Sequence, residues 1–106
     1  MSQENGFLAL DVSKEVLKAL TRMGITTPTR IQQETIPPMM AGHDIIGIAP
    51  TGTGKTIAFG IPMLEYISLK ETRVQELVLA PTRELALQIV QELSDLARFI
   101  PEIKVV

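Results

Sequence analysis

Apolar positions alternate between helical and strand spacing along most of the chain. Val16, Leu17, Leu20 and Met23 share one helical face, behind Ser13 as a good N-cap and ahead of Gly24 as a stop. A second helix opens at Thr29, where Thr29 and Gln32 have the spacing of a capping box, and Pro37-Pro38 is expected to disturb its end. Residues 43–49 are apolar on both sides, as an interior parallel strand is. The glycines at 52 and 54 then turn the chain into a helix from Lys55 to Leu69, with Ile57, Ile61, Leu64 and Ile67 as its buried stripe and Pro62 bending it. After a polar stretch, 76–80 reads as a second strand, Pro81-Thr82 as a turn, 83–99 as a helix and 103–106 as a third strand.

Two helices followed by β-α-β-α-β predict an α/β fold with a parallel sheet flanked by helices. Three strands make a thin sheet, and the apolar strand at 103–106 has no polar closing segment, so an incomplete domain is expected. Composition narrows the class. Apolar residues at 45% and charged residues at 21% suit a single small globular domain and argue against disorder. The net charge of −2 supplies no basic field, so any nucleic-acid contact has to come from local groups. Without cysteine there is no disulfide, thiolate catalyst or thiolate-bound zinc, and His43 alone builds no metal site. No basic segment leads into an apolar stretch at the start, and no apolar run has spanning length, so a soluble cytoplasmic protein is expected.

The chemistry concentrates at Ala49-Pro50-Thr51-Gly52-Thr53-Gly54-Lys55-Thr56, between a strand and a helix. Glycines let successive N–H groups curl toward an anion, and the helix adds the positive end of its dipole. Lys55 would reach the β- and γ-phosphates, and the Thr56 hydroxyl would ligate Mg²⁺. Ala49 stands where a first glycine is usual, and Pro50 removes one donor. The plain alternative is a Gly-Thr turn that starts a helix. Gln32 has two readings as well. Its amide matches the donor and acceptor edge of adenine and disfavours guanine by about 1–3 kcal/mol, or it serves as the N3 partner of Thr29. Phe7, with no helical register around it, either stacks on a flat ring or anchors the core.

Taken together these residues resemble the opening of a DEAD-box ATP-dependent RNA helicase. Residues 24–32, Gly-Ile-Thr-Thr-Pro-Thr-Arg-Ile-Gln, resemble that family's Q motif, and Phe7 lies 17 residues before Gly24, where the family places an isolated aromatic. Residues 49–56 resemble motif I, residues 81–86 resemble motif Ia, and Gly42-His43-Asp44, between the Q motif and motif I, fits a Gly-x-Asp. The likeness runs from Phe7 to about Ile89. It implies that residues 1–106 are the N-terminal portion of a first RecA-like P-loop domain, ending before the acidic motif II.

Carried over, the resemblance makes Phe7 an adenine-stacking ring, Gln32 the reader of the base edge and Thr27 a neighbour of the base. Ala49, Thr51, Gly52, Thr53, Gly54, Lys55 and Thr56 would hold the nucleotide, with Lys55 and Thr56 serving catalysis and Thr56 the metal. Thr82 and Arg83 would touch the backbone of single-stranded RNA; locally they read as an N-cap and a solvated first-turn residue paired with a nearby acid. Pro50 replaces a usual Gln and Arg30 a common Pro, which leaves the proposed ligand contacts intact.

The implied cofactors are ATP and Mg²⁺, and the implied activity of the full protein is RNA-stimulated ATP hydrolysis with duplex unwinding. No Asp-Glu-Ala-Asp string occurs in the 106 residues, so the chain alone is expected to bind nucleotide without splitting it. Apolar surface left by missing strands is expected to make it self-associate. The rivals are a small nucleotide kinase, disfavoured for want of an acid beyond the loop, and a non-catalytic module that binds adenine nucleotide or a partner chain.

Overall fold

The computed structural model describes residues 6–49, 52 and 54–106. Side-chain caps set the start of three of its four α-helices. Ser13 Oγ accepts from the Val16 N–H at 3.4 Å and opens α1 (Lys14–Arg22). Gly24 closes it at φ +77°: its N–H donates to the Thr21 carbonyl at 3.0 Å and that of Ile25 to the Leu20 carbonyl at 2.8 Å, a pairing that needs a left-handed residue. Thr29 and Gln32 form the reciprocal capping box that opens α2 (Arg30–Met40). Thr82 Oγ1 accepts from the Leu85 N–H at 3.2 Å and opens α4 (Arg83–Leu96). By contrast, α3 (Lys55–Tyr66) starts on Gly54 with no side-chain cap.

The core is built on α3, which packs against α2 on one side and α4 on the other, while α1 packs on α4. Ile57, Ile61 and Leu64 of α3 are buried with Leu93 and Leu96 of α4, Val16 and Leu20 of α1, and Ile36 of α2. At Gly60 the helices come close: a Cβ there would lie 2.7 Å from Leu93 Cδ2. The far ends of α2 and α3 are fastened by the Tyr66 hydroxyl, which donates to the Met40 carbonyl at 2.7 Å. The radius of gyration, 13.4 Å, matches the ~13 Å of a folded chain of this size, so helix packing alone collapses the chain.

Several expectations are corrected. Pro37 and Pro38 lie inside α2, which continues to Met40. The carbonyls they leave unbonded belong to Gln33 and Glu34, both exposed, where solvent can donate to them. The third helix stops at Tyr66 instead of Leu69, so Ile67 is a half-buried cap residue, and the fourth stops at Leu96 instead of Phe99. Phe7 sits in a short 3-10 helix (Gly6–Leu10), where no helical register was expected.

The larger correction is the sheet. Among the described residues there is no β-ladder, and no backbone hydrogen bond joins 43–49, 76–80 and 103–106. The side chains of 76–80 and 103–106 still sort by face. Val78, Ala80, Ile103 and Val105 pack on the helical core, whereas Leu77 and Leu79 stand 78% and 86% exposed and Val106 is fully bare. Ile46 and Ile48 are bare as well, at 94% and 92%. The apolar patterning is therefore expressed as one-sided packing onto helices; a parallel pairing, slightly weaker per residue and normally covered on both faces, does not form.

Because Leu96 is fully buried and Leu79 is not, the two should respond oppositely to truncation. Leu96→Ala is expected to lower stability by about 2–5 kcal/mol, and Leu79→Ala to change it by no more than about 0.5 kcal/mol, in urea denaturation followed by circular dichroism. Equal losses at both positions would show that the packed core is misassigned.

Candidate functional site

The start of α3 is shaped by two glycines. Gly52 and Gly54 both have φ +84°, a left-handed conformation that an L side chain occupies only with strain. The first bond of the helix runs from the Ala58 N–H to the Gly54 carbonyl at 3.1 Å, so the N–H groups of Lys55, Thr56 and Ile57 have no helix carbonyl to bond. With no side-chain cap, those donors and the positive helix end form a place for an anion. Gly52 and Lys55 are exposed, and Thr56 and Ala49 are half-buried. Thr51 and Thr53, and the departure at Pro50, lie outside the described residues.

Gln32 ties this loop to the start of α2. Its side chain is only 2% exposed. Oε1 accepts from the Thr29 N–H at 2.8 Å, and Nε2 donates to the Gly54 carbonyl at 3.2 Å, across 22 residues of sequence. The approach is so close that a Cβ at Gly54 would clash with Gln32 Nε2 and lie 3.2 Å from its Cδ and 3.4 Å from Thr29 Oγ1. One N–H and one lone pair of the amide remain after these bonds. The capping role of Gln32 is thus realised, together with a loop contact that no local spacing announces. Thr29 was legible only as a cap, yet it also borders the loop.

The other candidates fall into place around this pair. Gly6 donates its N–H to the Thr26 carbonyl at 2.7 Å and packs on Pro28, which brings the 3-10 turn beside 24–32. Phe7 is fully buried there, as a core anchor would be. Thr27 is exposed. Arg30 points away, its side chain 90% exposed and paired with Glu34 at 3.0 Å; that hydrogen bond and the carboxylate charge raise the guanidinium pKa further. Thr82 and Arg83 are exposed at the start of α4, Thr82 acting as the cap. Among the described residues the ion pairs are Arg30–Glu34 and Arg73–Glu71, so Arg83 is not paired with an acid.

Metal chemistry rests on little. Among the described residues no group of three or more His, Asp or Glu could hold an ion. The Thr56 hydroxyl is a single hard oxygen donor; this suits Mg²⁺, which keeps several waters and takes further oxygens from phosphates. Among the described residues no helix is long and apolar enough to cross a membrane.

The family model for DEAD/DEAH box helicases matches residues 29–106. The chain is 54% identical over 87 residues to the DEAD-box ATP-dependent RNA helicase CshA of Geobacillus kaustophilus, covering 82% of this chain and 19% of that protein. It is 46% identical over 99 residues to the ATP-dependent RNA helicase DeaD of Mycobacterium tuberculosis, covering 93% and 18%. The chain therefore spans about a fifth of the length of the curated relatives it matches. Among solved structures, the RNA helicase Prp28 from Chaetomium thermophilum bound to ADP aligns with a TM-score of 0.79 at 39% identity, over 86% of this chain and 23% of that one. Dbp5 of S. cerevisiae bound to RNA and ADP BeF3 aligns with a TM-score of 0.82 at 31% identity, over 90% and 25%.

Gly54→Ala tests the link between the two loops. It is expected to cost about 1–3 kcal/mol through left-handed strain and to release the Gln32 amide, seen in NMR as loss of its slowly exchanging side-chain protons. Unchanged stability with a protected amide would show that the contact does not hold the loop.

Proposed function

The chain belongs to the DEAD/DEAH box helicase family, and on that premise we propose that it supplies the adenine-nucleotide site of an ATP-dependent RNA helicase. The observation that carries this reading is the uncapped start of α3, with Gly54 left-handed and held by the buried Gln32 amide. An anion bound there gains both the free N–H groups and the helix dipole. Lys55 reaches the β- and γ-phosphates as a point charge, while Ala49, Thr51, Gly52 and Thr53 complete the loop around them. When bound, Mg²⁺ would be held by the Thr56 hydroxyl and phosphate oxygens, and would neutralise charge on the phosphates.

Base recognition uses what the bridge leaves over. The second N–H and the second lone pair of Gln32 match the acceptor and donor of adenine, with the exposed Thr27 alongside. Stacking by Phe7 requires the 6–10 turn to move as the base arrives, because the ring is buried without it. Thr82 and Arg83 offer RNA a hydroxyl and a cation that is unpaired among the described residues, contacts that read the backbone and not the sequence.

Hydrolysis and unwinding belong to the whole protein. They need acids around the γ-phosphate that these 106 residues do not supply. In that larger protein, 43–49, 76–80 and 103–106 pair as a parallel sheet, and the sorting of Val78, Ala80 and Val105 onto the helices supports this. Alone, the bare Ile46, Ile48, Leu77 and Leu79 favour self-association of the chain, which a monomer in light scattering at high concentration would contradict.

Calorimetric titration tests the site. The chain is expected to bind ADP and ATP without turnover. Lys55→Ala should weaken both at least ~10-fold, and Gln32→Ala should narrow the preference for ATP over GTP, a gap worth about 1–3 kcal/mol. Undiminished affinity in Lys55→Ala, with native circular dichroism, would sink the reading.

A further inference from the structure

The helices α2 and α3 run in the same direction and are joined at both ends. Near their starts the Gln32 amide bonds the Gly54 carbonyl at 3.2 Å, and at their last residues the Tyr66 hydroxyl donates to the Met40 carbonyl at 2.7 Å. Along α2, Gln32, Ile36 and Met40 stand one turn apart, and Ile36 between them is fully buried. The two joints on α2 are thus on the order of 12 Å apart, whereas Gly54 and Tyr66 are on the order of 18 Å apart along α3. Helical side chains lean toward the start of their own helix, which lets the tyrosine cover this difference of about one turn. The ring is 55% exposed, so it does little to fill the core; its hydroxyl is what reaches α2.

That hydroxyl acts where α2 has lost bonds of its own. Pro37 and Pro38 leave the Gln33 and Glu34 carbonyls without their helix donors. In the last turn the Pro37, Pro38 and Met39 carbonyls are bonded by the Ala41, His43 and Gly42 N–H groups at 3.1, 3.0 and 3.0 Å, and the Met40 carbonyl takes a donor from α3. Parallel neighbours also set two negative helix ends side by side, which the donated proton offsets. We propose that Tyr66 is a positioning residue: by fixing the far end of α2 it sets the tilt of that helix on α3, and so holds Gln32 against Gly54. A helix fixed at two points keeps its tilt, whereas one fixed at a single end pivots on its buried residue, here Ile36. Chains with the bridge open bind nucleotide only after it re-forms, so the apparent affinity falls with the closed fraction. The effect on nucleotide binding rests on the site proposed above; the hold on the bridge does not.

Tyr66→Phe removes the hydroxyl and keeps the ring. NMR of the ligand-free chain is expected to show the Gln32 side-chain amide protons exchanging several-fold faster. Calorimetry is expected to show ADP bound about threefold more weakly, with a smaller preference for ATP over GTP. Tyr66→4-aminophenylalanine, whose amine donates in place of the hydroxyl, should restore both. Ser13→Ala, which removes the cap of α1 at a comparable loss of stability in urea, should change neither. Unchanged exchange in Tyr66→Phe, no recovery with the amine, or the same acceleration in Ser13→Ala overturns the proposal. ADP affinity that holds while exchange rises overturns it too. Faster exchange with recovery, in a chain that binds no ADP even unsubstituted, upholds the role of Tyr66 at the bridge and sinks the nucleotide reading alone.

Discussion

The side-chain amide of Gln32 holds together the two chain segments on which the site depends. A buried amide has to be bonded, and this one is bonded at both ends, to the Thr29 N–H and the Gly54 carbonyl. Removing either partner leaves a polar group in the interior at a cost of about 1–3 kcal/mol. The Gly54 carbonyl in turn accepts from Ala58 as well, so the first bond of α3 and the tie to α2 share one oxygen. Moving the amide therefore moves the start of the helix. The start of α2 and the start of α3 are coupled through this single group.

The contrast among helix starts shows where stability is given up. Ser13, Thr29 and Thr82 cap α1, α2 and α4, and α3 alone goes without. A missing cap forgoes about 0.5–2 kcal/mol, but it leaves donors and the helix dipole free for an anion. The helix tolerates this because its other face is the most buried surface of the chain, with Ile61 and Pro62 fully enclosed. Tertiary packing supplies what the terminus lacks. The other end of the helix lies beside Glu15, Glu65 and Glu102, none of them in an ion pair among the described residues. Local placement, and not the net charge of −2, determines what each end attracts.

The helical layer forms without the sheet because its contacts are mutual. Leu93 and Leu96 close on Gly60 and Ile61, and Leu20 and Val16 close on the same cluster. The extended segments contribute alternate side chains to that layer, such as Val78 and Ile103, and keep Leu77 and Leu79 outside. Half of 76–80 and of 103–106 is thus satisfied by helices, whereas Ile45, Ile46 and Ile48 of 43–49 are exposed. The other half has nothing to pack on.

The helix starts were legible because capping is a short-range matter: Ser13, Thr29 and Thr82 reach only three residues ahead. The family likeness was legible for the same reason, being carried by strings of adjacent residues. The passage of α2 through Pro37 and Pro38 was not, since it depends on Gln33 and Glu34 facing water and on Tyr66 holding Met40 from another helix. Nor could spacing reveal that Gln32 touches Gly54. Local sequence determined where the capped helices begin, through hydrogen bonds within one turn. Which apolar faces find a partner was decided only by tertiary packing, because burial depends on surfaces brought together from distant parts of the chain.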